Sequence, residues 1–307
     1  MTTLFPDDIT IMLTAGLVAT ACALLGVFLV LRRVALMGDA VSHAVLPGIV
    51  AVFLLTQSRA PLSVIVGAAL FAIICVLAIE WLRGTQLIQA DAAIGLVFPA
   101  LFALGVLGIH RYAANIHLDL DSTIYGEIAF APFRTVEIGG VLVAQSLIIN
   151  GAVALVNLAL IALLWKELKA TTFDPEFSKS IGLNPTWVSR MLLVAVSITA
   201  VTAFESVGAI LVVTLLIVPA AAAYLLTDRL WAMVTIAVGI GWISAVVGYS
   251  GAVRADASIA GVMGVTAAII FAIALVASPR YGLLARRVAL QRRRRAMRAA
   301  SDAPQRA

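Results

Sequence analysis

The hardest constraint on this chain is its own apolarity, delivered in lengths of about twenty residues. Nine apolar stretches can be drawn, at about 9–30, 35–56, 62–82, 91–109, 139–165, 188–204, 206–226, 231–250 and 257–277. A helix of that length crosses a hydrocarbon layer of about 30 Å, and in lipid it satisfies its backbone polar groups internally. Hydrophobic residues make up 63% of the 307 residues and charged ones only 12%, well below the share in soluble domains. The chain is therefore predicted to be an all-α integral membrane protein, a polytopic bundle of about 8–9 transmembrane helices. The two stretches within 188–226 meet around Phe204-Glu205-Ser206, and a broken hairpin there would reduce the count to eight. The first run contains Cys22 and no Ala-x-Ala site follows it, so a retained helix is expected rather than a cleaved leader. Cys22 and Cys75 both lie inside apolar runs, which points to packing rather than to a disulfide or metal framework.

Lys and Arg set the orientation. With the N-terminus outside, the cytoplasmic side collects Arg32, Arg33, Arg83, Lys166, Lys169, Lys179, Arg190, Arg229 and the C-terminal tail. The outside then keeps Arg59, Arg111, Arg134 and Arg254. The opposite orientation would export the densest basic cluster, so an N-out, C-in arrangement is expected. Residues 1–280 form the transmembrane domain, with a cytoplasmic segment at about 170–186, and residues 281–307 form a basic cytoplasmic tail. Its Arg286-Arg287 and Arg292 to Arg295 suit topology retention and contact with anionic membrane lipid. The formal charge of +5 comes without aromatic interleaving or a recognition motif, so no nucleic acid is expected as a partner.

Catalysis has little to stand on. The sequence holds no Gly-x-x-x-x-Gly-Lys-Ser/Thr loop for nucleotide phosphates and no His-Glu-x-x-His for a zinc protease. Gly248-Tyr249-Ser250-Gly251 departs from Gly-x-Ser-x-Gly and falls at a predicted helix end. The expected catalytic set is none.

Binding and passage remain. Asp39 and His43 interrupt the second apolar run, and ionisable residues at membrane depth mark functional sites by default. Four residues apart on a helix, they project from one face. A carboxylate oxygen and an imidazole nitrogen there suit manganese, iron(II) or zinc better than copper(I), which favours sulfur. The same pair would also serve as hydrogen-bonding glue between helices, and two residues do not complete a metal site. Counted from Arg33, His43 lies about 15 Å along the helix, close to mid-membrane. Pro47 has no N–H for the carbonyl of residue 43, which leaves that carbonyl open and provides a hinge. Glu205 is the other acid at depth, read either as a gate element or as an ordinary interfacial residue. Asp91 opens its helix at the positive end of the dipole.

Asp174-Pro175-Glu176 is a helix start: a capping acid, proline in the first turn, and a further acid near the helix N-terminus. Gly182 and Asn184-Pro185 stop the helix after about two turns. Phe177 and Ile181 share one face, which would rest on the protein's own loops or dock on a partner. Between His110 and Glu137 the polar and apolar residues alternate, suggesting a short strand or a surface helix.

Separated motifs, in order along the chain, carry a resemblance. Arg33-Val-Ala-Leu-Met-Gly-Asp39-Ala-Val-Ser-His43-Ala-Val-Leu-Pro47-Gly resembles the second-helix signature of the permease subunits of ABC transporters for manganese, zinc and iron. Ala90-Asp91-Ala-Ala-Ile-Gly-Leu-Val-Phe is similar to the family's fourth-helix start, and His117-Leu-Asp119-Leu-Asp121 with Tyr125-Gly126 to its external segment. Thr171-Thr-Phe-Asp-Pro-Glu-Phe with Ile181-Gly182-Leu183 resembles its cytoplasmic coupling segment. Val207 to Thr227 around Pro219, and Ser278-Pro279-Arg280-Tyr-Gly-Leu, complete the match. The resemblance implies a non-catalytic permease in the bacterial cytoplasmic membrane, dimeric with a second copy or a paralogue. Separate ABC ATPase subunits would dock at Asp174, Pro175, Glu176, Phe177, Ile181 and Gly182, and an extracytoplasmic metal-binding protein would deliver the cation. Asp39 and His43 would occupy the metal-contacting positions, with no permanently bound cofactor and with manganese, zinc or iron(II) as cargo. Manganese is expected first, because the coupling segment and the Pro219 helix look most like the manganese/iron branch. A stand-alone carrier using Asp39 for proton coupling is the alternative.

Overall fold

A computed structural model of the chain describes residues 6–56, 61–112, 127–138, 140–278 and 282. The chain runs through α1 (Asp7–Leu31), α2 (Met37–Thr56), α3 (Pro61–Gly84) and α4 (Ala90–Tyr112). A 3-10 turn (Ile128–Phe133) leads into the strands β1 (Thr135–Ile138) and β2 (Val141–Ala144). Then come α5 (Gln145–Leu163), α6 (Trp165–Phe173), α7 (Pro175–Ser180), α8 (Pro185–Val207), α9 (Ala209–Leu226), α10 (Leu230–Ala255) and α11 (Ile259–Ala277). Among the described residues, nine of these helices are long and apolar enough to cross a membrane, α6 and α7 being the exceptions. The long helices alternate in direction, so the hairpin and α6–α7 mark opposite ends of the bundle.

The hub is α1. Most of its length is buried, and α5, α8, α9 and α10 pack around it. Small residues set the approach: a Cβ on Gly26 would strike the backbone carbonyl of Leu216 on α9, and one on Gly241 would stand 2.7 Å from Cβ of Ala19. Polar groups set the register. Asn157 on α5 donates its Nδ2 to the Ala21 carbonyl (3.2 Å) and to Thr199 Oγ1 (2.8 Å), and Asn150 donates to Ser206 Oγ (2.8 Å). Thr14 and Ser146 join α1 to α5 at 3.1 Å, and the Trp242 indole donates to Thr20 at 3.0 Å. Beside this body, α2 packs on α3 and α4.

Two tight turns finish the frame, each for a readable reason. After α1, Arg33 N–H bonds the Val30 carbonyl (3.1 Å) and Val34 N–H bonds the Leu29 carbonyl (2.9 Å). That is the 5→2 and 6→1 pairing of a Schellman turn, with Arg33 at φ +57° where glycine is the usual residue. After α7, Gly182 at φ +83° closes the same pattern, with Leu183 N–H on the Ser178 carbonyl at 3.0 Å.

Several sequence expectations shift. The all-α bundle holds and carries one addition: β1 and β2 form an antiparallel hairpin with Ile138 opposite Val141. This hairpin takes the residues expected to open the fifth transmembrane run, so α5 starts at Gln145 rather than near 139. The β-branched residues flanking Gly140 (φ +85°) favour a strand and turn over a helix start. The 188–226 region is two spans, α8 and α9, hinged at Gly208 (φ +81°), which gives the nine-helix alternative. The basic tail 281–307 and the external motif His117 to Gly126 lie outside the described residues, Gly282 apart.

Candidate functional site

α2 begins only at Met37, because the turn after α1 consumes residues 32–36. Asp39 therefore sits in the first turn, where the helix dipole favours a carboxylate. His43 lies one turn deeper, about 9 Å from the start of the helix. That is about a third of the way along α2, nearer the α6–α7 end than a count from Arg33 implies.

Asp39 and His43 share an open face in the first half of α2, between residues that are buried. Ala40, Val41 and Ala44 are fully buried, while the side chains of Asp39 and His43 are 50% and 46% exposed. Asp39 Oδ1 and His43 Nε2 stand 3.9 Å apart. That is too long for a hydrogen bond. It is within reach of one shared cation, because donors each about 2.1 Å from a metal stand up to about 4.2 Å apart. The imidazole is held from the side by α4. It stacks on Phe98 with ring centroids 5.3 Å apart and a 23° interplanar angle, and it meets Phe102 edge-on at 5.8 Å and 84°. Neither aromatic was singled out in the sequence. The signal was there: Phe98 and Phe102 repeat the four-residue spacing of Asp39 and His43.

Pro47 lies inside α2 one turn beyond His43, and α4 comes close enough that a Cβ on Gly105 would stand 2.9 Å from the Pro47 nitrogen. Among the described residues, no group of three or more His, Cys, Asp or Glu side chains gathers to hold a metal. This pair is therefore a two-donor arrangement among the described residues. Glu205 is not brought to it. It sits at the hairpin end of α8 and pairs with Arg134 at 3.2 Å.

α7 takes the form expected from its residues, while α6 before it was not expected. Asp174 caps α7 by accepting from Phe177 N–H at 2.9 Å, with Pro175 in the first turn, and Glu176 pairs with Lys179 at 2.9 Å. Phe177 and Ile181 are 55% and 54% exposed, so the described residues leave about half of each side chain open. A further group appears at this end that the sequence did not suggest. Arg32 donates through Nε to Thr172 Oγ1 (3.0 Å) and through Nη2 to Thr171 Oγ1 (2.8 Å). Burial pushes its guanidinium below the usual arginine range, and the field of Glu80 opposes that shift.

Comparison with known proteins gives a consistent result. The family described as the ABC 3 transport family matches residues 9–278. The zinc transport system membrane protein TroD of Treponema pallidum is 44% identical over 276 residues, 90% of this chain and 75% of that protein. The manganese transport system membrane protein MntD of Bacillus subtilis is 40% identical over 279 residues, 91% of this chain and 94% of that one. Among solved structures, a chain of PsaBC from Streptococcus pneumoniae in complex with Fab superposes with a TM-score of 0.73 at 30% identity. That match covers 91% of this chain and 94% of the other.

Proposed function

The chain belongs to the ABC 3 transport family as a membrane-spanning permease subunit, and from that premise we propose that it imports a divalent transition metal, manganese first, then iron(II) or zinc. The observation that carries this reading is the 3.9 Å Asp39–His43 pair on the open face of α2. Its oxygen and nitrogen donors fit the metals named for the relatives and disfavour copper(I). Two half-exposed ionisable side chains at that depth would be costly against lipid tails. A second copy or a paralogue covers them, and the two subunits together frame the path and supply the further ligands. Pro47 leaves the His43 carbonyl open beside the path and lets α2 bend as access alternates.

Energy comes from a separate ABC ATPase, which docks on α7 through Phe177 and Ile181. An extracytoplasmic metal-binding protein delivers the cation on the hairpin side. The N-terminus then lies outside, the basic tail lies in the cytoplasm, and the assembly sits in the bacterial inner membrane. Proteoliposomes test this directly. The complex with its ATPase should accumulate manganese only when ATP is supplied, and iron(II) and zinc should compete for that uptake. The chain reconstituted alone should accumulate none; metal uptake without an ATPase would overturn the reading in favour of a stand-alone carrier. Phe177→Asp should cut co-purification of the ATPase by about tenfold, the loss expected of a buried aromatic anchor. Unchanged recovery would remove α7 as the docking helix.

A further inference from the structure

We propose that Arg32 is the positioning residue through which displacement of α6–α7 reaches Asp39 and His43. The inference rests on the reading that α7 receives the ATPase, and it names the physical connection from that helix to the metal pair. Three joints lie along the connection, and each is bonded.

The first lies between α7 and α6. Asp174 N–H bonds the Ala170 carbonyl of α6 (2.9 Å), while its carboxylate caps α7 at Phe177. One residue thus belongs to both helices, so tilting α7 tilts α6. The second joint is the Arg32 clasp. Thr171 Oγ1 donates to the Glu167 carbonyl at 2.7 Å, which turns its lone pairs toward Arg32 Nη2. With Thr172 accepting from Nε, two directed bonds from one planar guanidinium fix orientation as well as distance. Partial burial makes the charge costly to leave unpaired, so a shift of α6 draws Arg32 with it.

The third joint is the turn itself. Arg33 and Val34 close back on α1 through the bonds to Val30 and Leu29, and Val34 and Met37 are buried. A turn closed in this way does not absorb motion as a slack loop would. Seven residues beyond Arg32, Asp39 stands in the first turn of α2. A second tie runs parallel to the first: Glu80 at the end of α3 accepts from Arg190 Nε on α8 at 3.3 Å. Arg190 is largely exposed, so this tie is the weaker one.

The test uses the full complex with its ATPase in liposomes. Thr171→Val with Thr172→Val keeps side-chain volume and removes both acceptors, while Thr171→Ser with Thr172→Ser keeps them. The readouts are manganese taken up per ATP hydrolysed, and spin-label distances from α7 and from α2 to α10 with and without ATP. The valine pair should hydrolyse ATP normally and lose uptake per ATP by about tenfold or more, as a misplaced site does. In it α7 should still move on ATP while α2 stays still, and the serine pair should match wild type. Normal uptake per ATP in the valine pair, persistent α2 movement, or equal failure of the serine pair would each overturn the proposal. Arg32→Lys, which keeps the charge but not the fork, should fall between the two; wild-type coupling there would also overturn it. Failure of the docking reading shows separately, as unchanged ATPase recovery with Phe177→Asp.

Discussion

The α1/α5/α8 body and the α2–α4 body are built from the same apolar residues yet are held by different means. In the first, side-chain amides and hydroxyls cross between helices at fixed heights: Asn157 to Ala21 and Thr199, Asn150 to Ser206, Thr14 to Ser146. A polar partner missed by one turn is lost, so such bonds specify a register. In the second, backbones touch directly. Gly48 of α2 meets Gly67 of α3, and Gly105 of α4 meets Pro47. The Cys75 thiol reaches the Ala40 carbonyl only at 3.9 Å. Contacts between small residues hold helices close without a hydrogen-bonded partner at a fixed height. The ionisable pair sits on the body held by contact, beside the body held by polar register.

The sharpest way to break this contrast is to remove the pair. Asp39→Ala or His43→Ala should reduce metal uptake by about 100-fold or more, at or beyond the loss of a supporting partner at a metal site. Membrane insertion and recovery of the ATPase should be unchanged. Near-normal uptake in both variants would move the site elsewhere. Next in size is the contact itself. Gly48→Ala drives a Cβ into the Gly67 carbonyl, a backbone atom that cannot swing aside. It should cost about 1–3 kcal/mol of stability, read as a lowered melting temperature in detergent. Gly151→Ala in the other body is the control: its Cβ would meet only Leu17 Cδ1 at 3.8 Å, and the melting temperature should stay put.

What the sequence disclosed follows the same division. The nine spans, the Asp174 cap and the Gly182 stop were legible because each depends on neighbours within a few residues. Asp39 and His43 stood out because charge in an apolar run is conspicuous at any spacing. The clasp of Arg32 on Thr171 and Thr172 was not legible, since some 140 positions separate the partners and arginine at a helix end reads equally well as a topology signal. Asn150 and Asn157 carried a fainter clue. Seven residues apart in an apolar run, they share a helix face, and an amide in lipid needs a partner. The hairpin was missed because Val141-Leu142-Val143-Ala144 satisfies a hydropathy window as well as a helix does, and β-branching was the only cue against it.

Asn157 tests whether the polar ladder is worth its register. Asn157→Leu keeps volume and deletes two interhelical bonds, so it should cost about 0.6–1.7 kcal/mol, the range for such bonds in membrane bundles. Thr199 loses its donor but keeps the option of bonding within its own helix. Uptake at low temperature should remain near normal, because the ladder steadies the frame and touches no metal. A large loss of uptake with no loss of stability would mean that the α1/α5/α8 body also moves during transport, and the contrast between the bodies would fail.

The smallest effect belongs to Glu205, and it decides whether the frame contains a gate. The carboxylate pairs with Arg134 across the hairpin end, with the arginine largely exposed. Such a pair contributes about 0–1 kcal/mol, so neither Glu205→Gln nor Arg134→Gln should shift the melting temperature by much. If Glu205 gates the path only by being clamped to Arg134, both variants should slow uptake alike, by about two- to fivefold on this energy scale. If Glu205 instead meets the passing cation itself, Glu205→Gln alone should slow uptake, while Arg134→Gln should leave it unchanged or raise it by unmasking the acid. Wild-type rates in both variants would leave Glu205 as an interfacial residue that closes the end of α8, and the hairpin end would then belong wholly to the static body.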